Sequence, residues 1–129
     1  MQNNELNEKR KFDLEDRLID FAIKVIEIVE LIPSSRAGNH IAGQLVRSGT
    51  SPALNYGEAQ SAESRNDFIH KMKVCLKELR ETKISLKIIY KKPLVKELEI
   101  VKKLITENDE LISIFMKSIS TATENKKTS

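Results

Sequence analysis

Gln44-Leu45-Val46-Arg47-Ser48-Gly49-Thr50-Ser51-Pro52-Ala53-Leu54-Asn55-Tyr56-Gly57-Glu58 is the stretch on which the fold turns. It lies inside a helical pattern, yet it holds a proline, two glycines and a run of small polar residues. Two readings compete. In one, Pro52 removes a backbone donor, displaces the carbonyl of Ser48 and kinks a helix that continues. In the other, Ser51 caps a new helix with Pro52 at its first position. The continuous helix is preferred. From about Gly38 or Asn39 to about Ala62, with Asn39 as a plausible cap, it spans roughly 37 Å at ~1.5 Å per residue. That length matches the two helices expected after it.

The same stretch has a periodicity of its own. Gln44, Ser48, Ser51, Asn55 and Glu58 follow one another at steps of 4, 3, 4 and 3, a heptad seam built from polar and mostly small residues. A solvated face has no need of Ser and Gly, which form helix poorly beside Lys, Glu or Gln. Their concentration predicts close approach by another helix. A matching seam stands further on, at Lys71, Val74, Glu78, Glu81 and Ser85. A turn centred between Ser64 and Arg65 sets Glu58 opposite Lys71, Asn55 opposite Val74, Ser51 opposite Glu78 and Ser48 opposite Glu81. Arg47 lies beside this line, within reach of Glu78 or Glu81. The seam is expected to align or assemble the fold.

Working outward, the preceding helix begins at Phe12 or Asp13. Its apolar residues at 14, 18, 21, 22, 25, 26, 29 and 32 make one wide buried face. Pro33-Ser34-Ser35 ends it, and the short loop returns the chain antiparallel. After the opening stretch, Ser64 and Asp67 have capping-box spacing. The next helix, from about Arg65 to Lys91, carries the seam Phe68, Met72, Cys75, Leu79, Thr82, Leu86 and Ile89. A last helix runs from about Leu94 to Ser120. Its seam is Leu94, Leu98, Val101, Ile105, Ile112, Phe115 and Ile119, with Asn108 as a polar interruption. The expectation is an all-α, antiparallel up-down-up-down four-helix bundle over residues 12–120. Residues 1–11 read as a flexible lead-in and residues 121–129 as a disordered tail.

Composition agrees. At 129 residues the chain is one domain, long enough to bury a core without metal or disulfide. Charged residues are 32% and aromatics 5%, with no Trp, the balance of a helical protein rich in Leu, Ile, Glu and Lys. The lone Cys75 rules out an intramolecular disulfide and fits a reducing cytoplasm. No apolar run approaches the ~20 residues that cross a membrane, and the charged start does not read as a secretory signal. Net charge is +3, unevenly placed. Residues 67–92 hold eight basic and three acidic groups, net +5. Such asymmetry points toward an anionic partner.

Catalytic and metal chemistry find little support. Di-iron bundles need Glu-x-x-His on two helices. The nearest match is Asp67-Phe68-Ile69-His70, and His40 has no carboxylate at that spacing. His70 and Cys75 lie about 140° apart around a helix, so they do not face each other. The glycines at 38, 43, 49 and 57 lack the strand and Lys of a phosphate loop. No cofactor or catalytic residue is expected. Lys73, Lys77, Arg80, Lys87 and Lys91 share one stripe of the third helix, broken by Ile84, with Lys83 near it. Such a row tracks phosphates of RNA or DNA, with salt-sensitive and largely sequence-independent affinity. The alternatives are a solvated Lys-rich face or a protein-interaction scaffold whose partner is unknown.

A resemblance rests on Phe12-Asp13-Leu14, Arg36-Ala37-Gly38-Asn39-His40-Ile41-Ala42, Gln44 to Ala53, Asn55-Tyr56-Gly57-Glu58-Ala59, Glu63 to Lys71 and Leu76 to Thr82. Over about residues 12–90 the chain resembles the bacterial four-helix-bundle family of 23S rRNA intervening-sequence proteins. That resemblance implies a small cytoplasmic bacterial protein forming ring-shaped homo-oligomers, with pentamers expected. Related accessory proteins of diversity-generating retroelements work with nucleic acid. Leu54 stands where the family usually has Ala, and Ile84-Ser85 replaces an aromatic-aliphatic pair.

Overall fold

The computed structural model describes the backbone of residues 2–128 and the side chains of residues 13–125. The described chain is an all-α bundle of four helices: α1 (Gln2–Leu31), α2 (Arg36–Gln60), α3 (Arg65–Lys91) and α4 (Leu98–Thr128). Each helix packs on its neighbours in sequence, and α1 meets α4 to close the bundle. Facing residues run in opposite senses at two of these interfaces. Ser48 meets Thr82 and Pro52 meets Cys75 across α2 and α3. Lys83 meets Asp109 and Arg80 meets Met116 across α3 and α4.

Local chemistry sets the helix ends. Ser35 has extended backbone and accepts a hydrogen bond from the Gly38 N–H at 2.9 Å. It caps α2 ahead of Asn39, which falls inside the first turn. Ser64 caps α3 by accepting from the Asp67 N–H at 3.1 Å, as the Ser64–Asp67 spacing predicts. α2 then runs unbroken through Pro52, so Ser51 does not cap a new helix.

Other boundaries differ from the sequence reading. α4 begins at Leu98, not Leu94. Pro93 has no backbone N–H to donate and cannot continue the helix, and the apolar residues behind it plug the bundle end, Val95 buried and Leu94 half-buried. The backbone is helical from Gln2 and onward to Thr128, where composition predicts coil. Extending a formed helix gains one bond per residue fixed, so polar residues of ordinary propensity can continue it. Residues 1 and 129 lie outside the described backbone.

The core is one cluster. Leu18, Phe21, Val25 and Ile28 enter from α1, and Leu45, Tyr56 and Ala59 from α2. Met72, Cys75, Leu79, Leu86 and Ile89 enter from α3, with Thr82 buried among them. α4 contributes Val101, Leu104, Leu111 and Phe115, and the Tyr56 and Phe115 rings meet edge to face at 6.0 Å. Two expectations shift by a position or two. Ile28, not Ile26, is buried on α1, and Ile26 is among its exposed residues. On α4 the innermost line is Val101, Leu104, Asn108, Leu111 and Phe115, while Ile105 and Ile112 flank it.

One close contact and one ion cluster hold the helices in place. A Cβ at Gly49 would lie 2.6 Å from Val25 Cγ2 and 3.1 Å from Val25 Cβ, so α1 and α2 approach closely there. The glycine of the opening stretch thus faces α1, not the third helix. Arg17 of α1 grips Glu107 with both Nε (2.9 Å) and Nη2 (2.8 Å), and Nη2 also reaches Glu110 at 2.8 Å. Asn108, fully buried, has no hydrogen-bond partner on either amide atom among the described residues.

Gly49→Ala should destabilise the fold by about 1–3 kcal/mol, because Val25 is fixed near its Cβ and cannot swing away. Gly43→Ala and Gly57→Ala meet nothing within 4 Å inside the single chain, and should stabilise the isolated bundle, measured at a concentration where it is monomeric, by up to ~1 kcal/mol through helix propensity. Urea titration of the three variants checks the opposite signs. Asn108→Val, which removes an unpaired buried amide at similar volume, should raise stability by about 1 kcal/mol in the same assay.

Candidate nucleic-acid interface

The seam between α2 and α3 decides where the charges of α3 point. Ser48 and Thr82 are buried with their hydroxyl oxygens 2.9 Å apart. Thr82 also stands 2.8 Å from the Glu78 carbonyl, which can only accept. Thr82 therefore donates to that carbonyl, and Ser48 donates to Thr82. Above this pair Arg47 forks across the helices. Its Nη1 meets Glu78 Oε2 at 2.9 Å and its Nη2 meets Glu81 Oε2 at 2.8 Å. Glu78 is nearly buried, its side chain 9% exposed, while Arg47 is 59% exposed. The hydrogen bond from Arg47 holds the Glu81 carboxyl below the usual carboxylate range, and the two acceptors hold the Arg47 guanidinium above its ordinary value.

Other seam residues are placed differently from the sequence register. Ser48 faces Thr82, one position beyond Glu81. Asn55 donates to the Ser51 carbonyl (3.1 Å) and hydroxyl (2.8 Å) within its own helix, not across to Val74. Lys71 pairs with Asp67 at 3.6 Å one turn earlier, and Glu58 stands exposed without it. Gln44 is exposed as well. Back-bonding continues beside Pro52, where Thr50 donates to the Val46 carbonyl at 2.6 Å.

On the outer side of α3 the basic row is partly thinned. Lys83 is bound to Asp109 Oδ1 of α4 at 2.7 Å and is half-buried. The Arg80 guanidinium leans toward α4, with Nη2 3.7 Å from the Met116 sulfur. Lys73, Lys77, Lys87 and Lys91 are exposed and, among the described residues, make no ion pair. Ile84, at 59% exposure, and Ile88, at 42%, stand among them. The carboxylates of α3 are turned elsewhere: Glu78 and Glu81 to Arg47, Asp67 to Lys71. The sequence reading missed this division because it treated the seam and the row separately.

The remaining chemistry is quiet. Cys75 is fully buried, its thiol pushed up to about 12 by burial, and it donates to the Pro52 carbonyl at 3.6 Å. A thiol so placed is a poor nucleophile at neutral pH. Burial likewise pushes the Tyr56 hydroxyl up to about 12. Among the described residues no group of three or more His, Cys, Asp or Glu could hold a metal ion, and no helix is long and apolar enough to cross a membrane.

A family model described as 23S rRNA-intervening sequence protein matches residues 10–117. The chain belongs to this family. The 23S rRNA-intervening sequence match takes in the α2–α3 seam, the whole of α3 with its basic row, and α4 as far as Lys117. The chain is also similar to the crystal structure of a protein with unknown function from the S23 ribosomal protein family of Bacteroides thetaiotaomicron VPI-5482. The identity is 25% and the TM-score 0.77, over 85% of this chain and 97% of that one. No curated protein matches the chain.

The arginine clasps make stability depend on acid. Glu81 is held low first by its hydrogen bond from Arg47, and Glu107 first by that from Arg17. A carboxyl whose folded pKa lies below its unfolded value stabilises the fold above that unfolded value, about 4.3 for Glu. The contribution is lost as pH falls through the lower folded pKa. Urea midpoints measured from pH 6 down to pH 3 should therefore fall, and the double variant Glu81→Gln, Glu107→Gln should fall less steeply.

Proposed function

We propose that this chain is a non-enzymatic bundle protein of the bacterial cytoplasm that assembles into a homo-oligomeric ring of five copies and binds RNA or DNA through the basic row on α3. The observation that carries the binding face is the division of charge on α3. The seam with α2 takes up Glu78 and Glu81, which leaves Lys73, Lys77, Lys87 and Lys91 exposed and, among the described residues, without an ion pair. Phosphates meeting such a row displace condensed counterions, and that release drives binding. The carboxylates bound by Arg47 would otherwise compete for these lysines.

Assembly is supported by the outer face of α2. Leu54 is 73% exposed there, and Gly43 and Gly57 have no neighbour that a Cβ would touch. Nothing inside the single chain calls for glycine at either position. A ring would repeat the short row of each copy around one axis, and linked weak contacts bind far more tightly than one. The ring and its subunit number rest on the family resemblance. A second reading, a scaffold for another protein, draws on Ile19, Ile23 and Ile26, exposed at steps of 4 and 3 along α1.

Reversing Lys73, Lys77, Arg80 and Lys87 together to Glu should weaken binding of structured RNA in fluorescence anisotropy by more than about tenfold. It should also cut the slope of log affinity against log salt by about four. Unchanged affinity would remove the row from consideration, and light scattering of the native protein reads the subunit number directly.

A further inference from the structure

The basic row is not uniformly polar. At its centre Lys73, Leu76, Lys77, Arg80, Glu81 and Ile84 line a shallow, open groove along the outside of α3. Leu76 is half-buried and forms the apolar floor with Ile84, which is 59% exposed. Glu81 at the edge is already held by Arg47 at 2.8 Å. Arg80, whose Nη2 stands 3.7 Å from the Met116 sulfur of α4, also lines the groove. The result is an apolar patch ringed by cations, at the midpoint of the surface that would meet phosphates.

We infer that this groove takes an unpaired nucleotide, so that the α3 row binds single-stranded nucleic acid in preference to a duplex. The inference rests on the nucleic-acid reading of the row and specifies the form of its ligand. A duplex keeps its bases stacked inside and presents charged backbone, so Leu76 and Ile84 would be set against hydrated phosphates. An unpaired strand can rotate a base inward, lay its face on Ile84 and leave its flanking phosphates to Lys73, Lys77 and Arg80. An arginine guanidinium beside the groove adds a plane on which a base can stack. With no aromatic side chain lining the groove, the contact depends on apolar area and not on base-edge hydrogen bonds. Binding is therefore tolerant of sequence.

Fluorescence anisotropy on the intact protein tests this with three probes of equal length at one salt concentration. They are a single-stranded RNA, its perfect duplex, and a single-stranded oligonucleotide carrying abasic sites. The single strand should bind several-fold more tightly than the duplex. The abasic strand, with the same phosphates and no base to lay down, should bind about as weakly as the duplex. Ile84 is exposed, so Ile84→Ser should fold normally, as circular dichroism will check. It should weaken the intact single strand about fivefold, the scale of losing one or two buried methylenes, and leave the duplex within about twofold. Equal binding of single strand, abasic strand and duplex would overturn the inference while keeping the row as a nucleic-acid site. So would an equal loss on all probes from Ile84→Ser. Absence of binding to every probe would overturn the row itself.

Discussion

Arg47 divides the electrostatics of the bundle. One guanidinium, itself largely in water, draws two carboxylates of α3 to the side that faces α2. One of them, Glu78, is nearly buried, and a buried carboxylate without a cation would be costly. Beneath the fork, Ser48 bonds Thr82 across the two helices and Thr82 bonds the Glu78 carbonyl within α3, neutral bonds worth about 1 kcal/mol each. The relative position of α2 and α3 is thus held by paired polar groups, not by apolar bulk alone. The outer side of α3 is left cationic as a consequence, because the acids of that helix are occupied elsewhere.

On its other flank α2 is positioned by the lack of a side chain. Gly49 lets Val25 of α1 come close enough that a single added carbon would collide with it. A helix thus fixed on both sides leaves its third side free, and there Gly43, Leu54 and Gly57 face outward. Small residues in α2 therefore have two distinct causes. At position 49 the cause is internal packing. At positions 43 and 57 the single chain supplies none.

What the sequence made legible, and what it hid, follows from how many choices each pattern allowed. The seam Met72, Cys75, Leu79, Thr82, Leu86 and Ile89 has polar neighbours on most sides, so only one face of α3 is able to go inward. α4 offers adjacent apolar pairs, Leu104 with Ile105 and Leu111 with Ile112, and either member continues a heptad. Only the facing helices decide, and they choose Leu104 and Leu111. α1 poses the same ambiguity with isoleucine on several faces. The Arg47 fork was readable because Arg47 stands next to the α2 line, within reach of Glu78 and Glu81 on the α3 line. The Glu58–Lys71 match was not realised because Asp67, one turn away on the same helix, competes for that lysine with less loss of side-chain freedom. The direction in which Gly49 faces was unreadable, since a residue without a side chain carries no sign of which neighbour approaches it. The apolar groove within the basic row was visible as the interruption at Ile84, but its floor at Leu76 needed the helix to be placed.

Cys75 has a consequence of another kind. It is the chain's one thiol, fully enclosed, with ionisation suppressed by burial and its proton directed at the Pro52 carbonyl. Oxidants and alkylating reagents act on thiolate, which the closed bundle withholds. Reaction at this sulfur must wait until α2 and α3 part. This sulfur is therefore shielded from oxidants while the bundle is closed, and it takes a covalent mark only when the bundle opens at its centre.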